Sequence, residues 1–284
     1  MKYAFIEAEK ARWRVRPMCR ALGVSPAGYY AWRKRPESDR AKQDRQLGVL
    51  VRESHARSRT TYGSPRVHAD LKARGVKVSR KRVARLMREH GLRGRVRRAH
   101  VRTTDSPAGA PPAENLLDRD FTASRPNQRW VGDVTYLRTP EGWLYLAVIL
   151  DLYSRMVVGW ATSPTNDRKL ALRALGMAIV HRKPDAGLLH HTDQGSPYAS
   201  EDYQDALDRA GITCSMSRRG NCYDNAVMES WFGILKCELG ESFDSQEAAS
   251  RLLFDYIEVF YNGVRRHGSL GFVTPREYEA QPFA

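Results

Sequence analysis

An α/β core behind an all-helical, strongly basic N-terminal region is the fold class this sequence predicts, and three observations predict it. The first is charge. The 284 residues hold 47 Lys and Arg against 32 Asp and Glu. Residues 1–102 alone hold 29 Lys and Arg against 8 Asp and Glu, so residues 103–284 are net acidic. The second is texture: residues up to about 98 read as short helices punctuated by Gly and Pro, whereas from Gln128 strand-like runs alternate with helical ones. The third is a set of acids in distinctive settings. Asp133 lies in the run Trp130–Leu137, Asp193 in His190–Tyr198 and Glu229 in Asn225–Lys236, with 35 residues between Asp193 and Glu229.

Hydrophobic residues make up 42% of the chain, enough for a packed core. The longest apolar stretch, near Leu144–Leu150, is far too short to span a bilayer, and the N-terminus has no signal-peptide core. Cys19, Cys214, Cys222 and Cys237 form no CxxC pair and read as reduced thiols of a cytoplasmic protein. The basic half fits a polyanion, because neutralising phosphates releases counterions. A merely well-solvated surface is the alternative.

Taken in order, residues 1–39 carry a first helix-turn-helix. A short helix ends near Gly23, and Ser25 caps a second that has Pro26 at its first position. The alternative is an ordinary helical hairpin. Residues 40–102 form a denser basic helical domain. Ser64 is expected to cap a helix with Pro65 at its first position. A second helix carries Arg80, Lys81, Arg82, Arg85 and Arg88 outward, with Val83, Leu86 and Met87 inward, and stops at Gly91. Arg93, Arg95, Arg97, Arg98 and Arg102 read as an arm lying along phosphates. Residues 103–125, rich in Pro, Ala and Thr, have the composition of a linker.

The core is expected over residues 126–240, with a helical segment over 241–284 completing it. Arg129–Arg138, Trp143–Asp151 and Met156–Ala161 read as strands, with Pro140–Gly142 as a turn. Asp167–His181 is a helix, Leu188–Thr192 a buried strand, Ser200–Ala210 a helix and Ile212–Ser215 a short strand. Asn225–Leu239 and Gln246–Tyr261 are helices. The order βββαβαβαα, three antiparallel strands and then alternation, fits a ribonuclease-H-like core. Its mixed five-stranded sheet would set strands 4 and 5 beside strand 1.

Asp133 then falls mid-strand and Asp193 just past a neighbouring strand end. A carboxylate among Trp130, Val131, Val134 and Tyr136 is costly unless it is paired or bound to metal. Asn225, Glu229 and Lys236, four and seven residues apart, share one face of a helix anchored by Trp231, Phe232 and Leu235. Oxygen donors suit magnesium, and two such ions serve in-line displacement at phosphorus. His191, just before the turn at Asp193, is a candidate for orienting substrate, with one of His190 and His191 in the core or behind the acids. No zinc-binding set of His and Cys and no Walker loop is visible.

The segments Trp130–Leu137, His190–Tyr198 and Asn221–Lys236 resemble the integrase core of OrfB-type insertion-sequence transposases, relatives of retroviral integrases. The spacing before Glu229 and the position of Lys236 are similar to that family's acidic triad and its basic companion. Asn262–Tyr278 resembles its closing segment and Tyr62–Gly94 its upstream helix-turn-helix. The resemblance implies a DNA transposase that binds double-stranded element ends, cleaves at their 3′ ends and transfers the strand by transesterification. Asp133, Asp193 and Glu229 would be catalytic and hold two Mg²⁺, with Mn²⁺ as a substitute. Asn225, Lys236 and His191 would act behind them or on the DNA backbone. DNA-binding residues would be Arg80, Lys81, Arg82, Arg85, Arg88, Arg95, Arg97 and Arg98. Further expectations are a homodimer or larger assembly on DNA, an upstream OrfA-type protein or fusion as partner, no membrane, and a place at the bacterial nucleoid. Two alternatives stay open: a DNA-binding regulator with an inactive core, and a structure-selective nuclease on the same fold.

Overall fold

The computed structural model describes residues 1–96, 113–218 and 222–281. The chain divides into two compact units, Met1–Leu50 and Val51–Ala284. In the first, α1 (Lys2–Glu9), α2 (Val15–Ala21) and α3 (Pro26–Lys34) surround Ile6, Cys19 and Tyr29. Gly23 takes a φ of 62° after α2, a left-handed turn that glycine adopts without a Cβ clash. The Ser25 hydroxyl accepts the Gly28 N–H at 2.9 Å, capping α3. The next helix, α4 (Asp39–Arg57), contains the division between the units.

The second unit holds α5 (Ser64–Ala73) and α6 (Arg80–Glu89) together with the sheet. Gly63, not Ser64, is the N-cap of α5, which places Ser64 and Pro65 one position further into the helix. Proline is tolerated throughout that first turn, so its position alone did not fix the boundary. Ser79 caps α6 by accepting the Arg82 N–H at 3.3 Å. Val83, Leu86 and Met87 are buried.

The five strands are β1 (Arg129–Thr139), β2 (Gly142–Asp151), β3 (Val157–Ser163), β4 (Leu189–Thr192) and β5 (Thr213–Met216), in the sheet order β3-β2-β1-β4-β5. β1, β2 and β3 pair antiparallel, while β1–β4 and β4–β5 pair parallel. This is the mixed sheet of an integrase-like ribonuclease H fold. β2 shows why its sequence is apolar throughout: it is buried on both faces. Leu144, Leu146, Val148 and Leu150 meet one core and Ala147 and Ile149 the other. α7 (Arg168–Arg182) and α8 (Glu201–Arg209) supply the second core. The first is covered by α9 (Ala226–Leu239) and α10 (Gln246–Phe254), which passes into a π-helix, Asp255–Tyr261. The sequence reads Gln246–Tyr261 as one regular helix; the wider turn is the difference. The Asn262 side chain then brackets Val157, accepting its N–H and donating to its C=O, both at 3.0 Å. α11 (Pro275–Glu279) closes the chain behind a capping box of Thr274 and Glu277.

The segment read as a linker does not behave as one over its described part, residues 113–125. Leu117 is buried in the first core, with Phe121 and Ala123 packed against it. The Glu114 C=O accepts the Met216 N–H at 3.1 Å. Composition pointed to Pro and Ala, but Leu117, Phe121 and Ala123 decide the packing. Residues 103–112 lie outside the described residues.

Candidate active site

Register delivers the first two acids to one place. β4 pairs with β1 through Arg129–Leu189, Trp130–His190 and Val131–His191. Asp133 and Asp193 each stand two residues past that last pair, at the mouth between strands that run roughly 4.8 Å apart. Gly132 is needed there: a Cβ on it would come within 2.9 Å of the His190 ring. Asp133 is partly buried and accepts the Val134 N–H at 2.7 Å. Asp193 accepts the Gly195 N–H at 2.9 Å, and a Cβ on Gly195 would crowd that same oxygen at 2.9 Å.

The electrostatics agree with this placement. Burial first, then the Asp193 charge and, more weakly, Glu229 hold the Asp133 carboxyl well above its usual range. Burial also raises Asp193, against the Gly195 N–H. Opposite charge within reach would lower both. Glu229 stands exposed on α9, near enough for Asp133 to feel its charge. Among the described residues no three His, Cys, Asp or Glu side chains close around a single point. The donor set nonetheless fits a hard divalent cation. It offers paired carboxylates without a cationic partner in their hydrogen bonds. Apart from them, the buried Asn225 Oδ1 at the head of α9 has no hydrogen-bond partner among the described residues.

Asn225 is the N-cap of α9, with a non-helical φ of −117°, so Glu229 and Lys236 share the helix face and Asn225 leads into it. Lys236 is half-buried, with its ammonium 5.0 Å from the centroid of the Tyr136 ring, and burial lowers its pKa. His191 is not placed to touch substrate. It is fully buried, with Nδ1 2.9 Å from the Ser215 hydroxyl and Nε2 3.1 Å from that of Ser217, and burial brings its pKa down to about 4. It braces β5 behind the acids. His190, also neutral with a pKa of about 3 from burial, meets the Tyr203 hydroxyl at 2.8 Å.

Of the basic residues, Arg80, Lys81 and Arg88 are exposed on α6, and Arg82 is partly buried. Arg85 donates to Glu89 at 2.8 Å. Arg95 is engaged elsewhere than along phosphates: its guanidinium donates to the backbone carbonyls of Cys237 and Glu238 at 3.2 and 2.7 Å. It thereby ties the end of α9 to the segment after α6. Arg97, Arg98 and Arg102 lie outside the described residues.

Two clusters escaped the sequence reading. Asp224, fully buried beside Asn225, accepts from Arg218 Nε (3.0 Å) and Nη2 (2.9 Å), Arg119 Nε (2.9 Å) and Asn115 Nδ2 (3.0 Å). The Arg218 hydrogen bonds hold its carboxyl far below the usual range. At the other end of α9, Glu238 accepts from buried Arg265 at 2.7 Å and from the Tyr256 hydroxyl at 2.8 Å. The signal for the second was the pair of arginines in Asn262–His267; nothing local marked Asp224.

Residues 123–222 match a family model described as "Integrase core domain", residues 210–275 match a second model of that description, and residues 42–100 match an "HTH-like domain". Over 288 aligned positions, covering 100% of both chains, the sequence is 44% identical to "Transposase InsF for insertion sequence IS3A" of Escherichia coli (strain K12). It is 43% identical over 263 positions to the 31 kDa protein of insertion element IS600 from Shigella sonnei, covering 92% of this chain and 97% of that one. Among solved structures, a chain of the simian T-cell lymphotropic virus intasome is similar with a TM-score of 0.47 at 18% identity, covering 75% of this chain and 70% of that one.

Proposed function

The chain belongs to the IS3 family of insertion-sequence transposases, and on that premise we propose that Asp133, Asp193 and Glu229 are the residues with which it cuts and joins DNA ends. An integrase core makes it a polynucleotidyl transferase of the DDE type. The observation that carries the assignment is the register that sets Asp133 and Asp193 side by side with raised pKa values. Two carboxylates held this close repel each other, and that repulsion adds to burial in raising the Asp133 pKa. Keeping them together is therefore a cost that cation binding offsets.

Asp133 and Asp193 would hold Mg²⁺, or Mn²⁺ in its place, and Glu229 would close onto the pair from α9. Two such ions, when bound, activate an attacking oxygen and stabilise the leaving one. In the first step a water oxygen attacks phosphorus at the element's end and the P–O3′ bond breaks, freeing a 3′-OH. In the second that 3′-OH attacks a target phosphodiester and displaces the target's own 3′ oxygen. Lys236, on the same face of α9 as Glu229, would contact the DNA backbone. α6, with Arg80, Lys81 and Arg88 exposed and Arg82 and Arg85 partly so, would bind double-stranded ends, and joining two ends calls for a dimer or larger assembly.

The test uses duplexes carrying the ends of the chain's own element with Mg²⁺ or Mn²⁺. Asp193→Asn should lose cleavage and joining by at least a thousandfold while a gel shift persists. Joined products from that variant would refute the assignment, and hydrolysis without joining by the parent chain would favour a nuclease.

A further inference from the structure

On β1 and β2 the surface carries two large aromatic side chains whose exposure the fold does not explain. Tyr136 on β1 is 45% exposed and Trp143 on β2 is 49% exposed. Their rings meet edge to face, with centroids 5.0 Å apart and planes 75° apart. In that geometry one ring turns its edge to the other's face and leaves flat surface open to a third planar group. The Lys236 ammonium lies over the Tyr136 ring, 5.0 Å from its centroid, so a cation covers one face of that ring and the flat surface left open belongs mainly to Trp143. Arg138, also exposed, is the cross-strand partner of Trp143.

The place of this ledge says what it would take. Tyr136 follows Asp133 by three residues on β1, roughly 10 Å along the strand at about 3.3 Å per residue, and leaves the opposite face of the sheet, so the two meet only around the flank of β1 where Lys236 of α9 reaches the Tyr136 ring. That distance is about three steps of a stacked nucleic-acid strand at 3.4 Å each. β1 pairs with β4 only as far as Val131, so its flank from Asp133 to Tyr136 has no strand beside it there. A strand end whose phosphate reached Asp133 and Asp193 would bring its neighbouring nucleotides past Lys236 to these rings. A base inside a duplex is already stacked on both faces, so the planar group that fits is an unpaired base.

We propose that Tyr136 and Trp143 form a stacking ledge for an unpaired base within about three nucleotides of the cleaved phosphate, an assignment that rests on the transposase reading above. Lys236 would contact the phosphate beside that base. Stacking on an aromatic side chain is tolerant of base identity, and so would this contact be.

The experiment places 5-iodo-2′-deoxyuridine singly at each of the last six positions of either strand of an end duplex. The full chain is irradiated with it, and cross-linked peptides are mapped by mass spectrometry. Cross-links to Tyr136 or Trp143 from positions within three nucleotides of the cut are expected. Trp143→Ala should lower end cleavage on the order of tenfold, and Trp143→Phe should restore most of it. Cleavage that proceeds normally in Trp143→Ala, or cross-links confined to other residues while the parent chain cleaves, would overturn the ledge and leave the transposase reading intact. If the parent chain neither cleaves nor cross-links through the core, both fall. Loss of a DNA-free dimer in Trp143→Ala, seen by sedimentation, would assign these rings to a second copy of the chain and likewise overturn the proposal.

Discussion

Asp133 occupies a position that works against its own charge, and that has a measurable consequence apart from catalysis. Its folded pKa is raised by burial, by Asp193 and by Glu229. Near pH 4 and below, folded and unfolded chains both bind the proton and the site costs nothing. As pH rises through the raised folded value, the folded state alone carries the penalty of ionising there. Asp133→Asn should therefore melt higher than the parent chain at pH 8 in EDTA, by a few degrees, the scale of about 1 kcal/mol in a protein of this size. The gain should shrink as pH falls toward 4, and saturating Mn²⁺ should reverse the order by stabilising only the parent. An unchanged or lower melting temperature at pH 8 would show that Asp133 is satisfied in the metal-free fold. At this scale the acids were legible because period-two alternation put Asp133 where an apolar residue belonged. His191 was legible only as a choice between orienting substrate and standing behind the acids, and Ser215 and Ser217, two dozen residues on, hold it inside.

α9 carries Glu229, and both of its ends are fastened by charge. Asp224 at its head binds Arg218, Arg119 and Asn115, and Glu238 near its tail binds Arg265 and Tyr256, while Arg95 takes the carbonyls of Cys237 and Glu238. Between them Met228, Trp231, Phe232 and Leu235 are buried. Asp224→Ala would take the shared carboxylate from half-exposed Arg119 and Arg218, of which Arg218 keeps Asp118 at 3.2 Å. The cost should be about 2 kcal/mol, the range of a hydrogen bond to a charged group. If the head of α9 sets the position of Glu229, end cleavage should fall further than stability or duplex binding does. Equal losses in all three would make Asp224 a fold residue only. Sequence reading found α9 and its inward residues, since apolar spacing reports burial directly. It missed the fastenings because Asn115 and Arg119 lie about a hundred positions from Asp224, and Arg218, six positions away, meets it only through the turn of the chain between them. It also could not see the π-helix at Asp255–Tyr261, since one extra residue per turn hardly disturbs a 3.6-residue pattern.

For the whole molecule, the division of labour read from composition differs from the one drawn by packing. Charge places a boundary between a basic half and an acidic half, yet α5 and α6 belong to the same compact unit as the sheet. The contacts say why. The Tyr62 hydroxyl donates to the Val264 C=O at 3.2 Å and accepts the Arg266 N–H at 2.7 Å, Arg59 pairs with Asp255, and Arg266 lies 3.5 Å from Asp70. Each joins the basic region to the segment that follows the π-helix or to the π-helix itself, across some two hundred positions of sequence. Such pairings are invisible to composition, which averages over neighbours in the chain and not in space. A fragment of residues 126–284, cut where the composition changes, would lose these contacts together with Leu117, Arg95 and both distant partners of Asp224. A fragment of residues 39–284 keeps α4 whole and retains them all. The longer fragment should unfold in one cooperative transition, and the shorter should bind a hydrophobic dye and show no such transition. Cooperative melting of the shorter fragment at the same temperature would mean that the basic helices merely rest on the core. The expected result would mean instead that the helices proposed to grip DNA and the helix that carries Glu229 belong to one folding unit, so that strain from an engaged DNA end reaches α9 through Arg95 without a hinge between them.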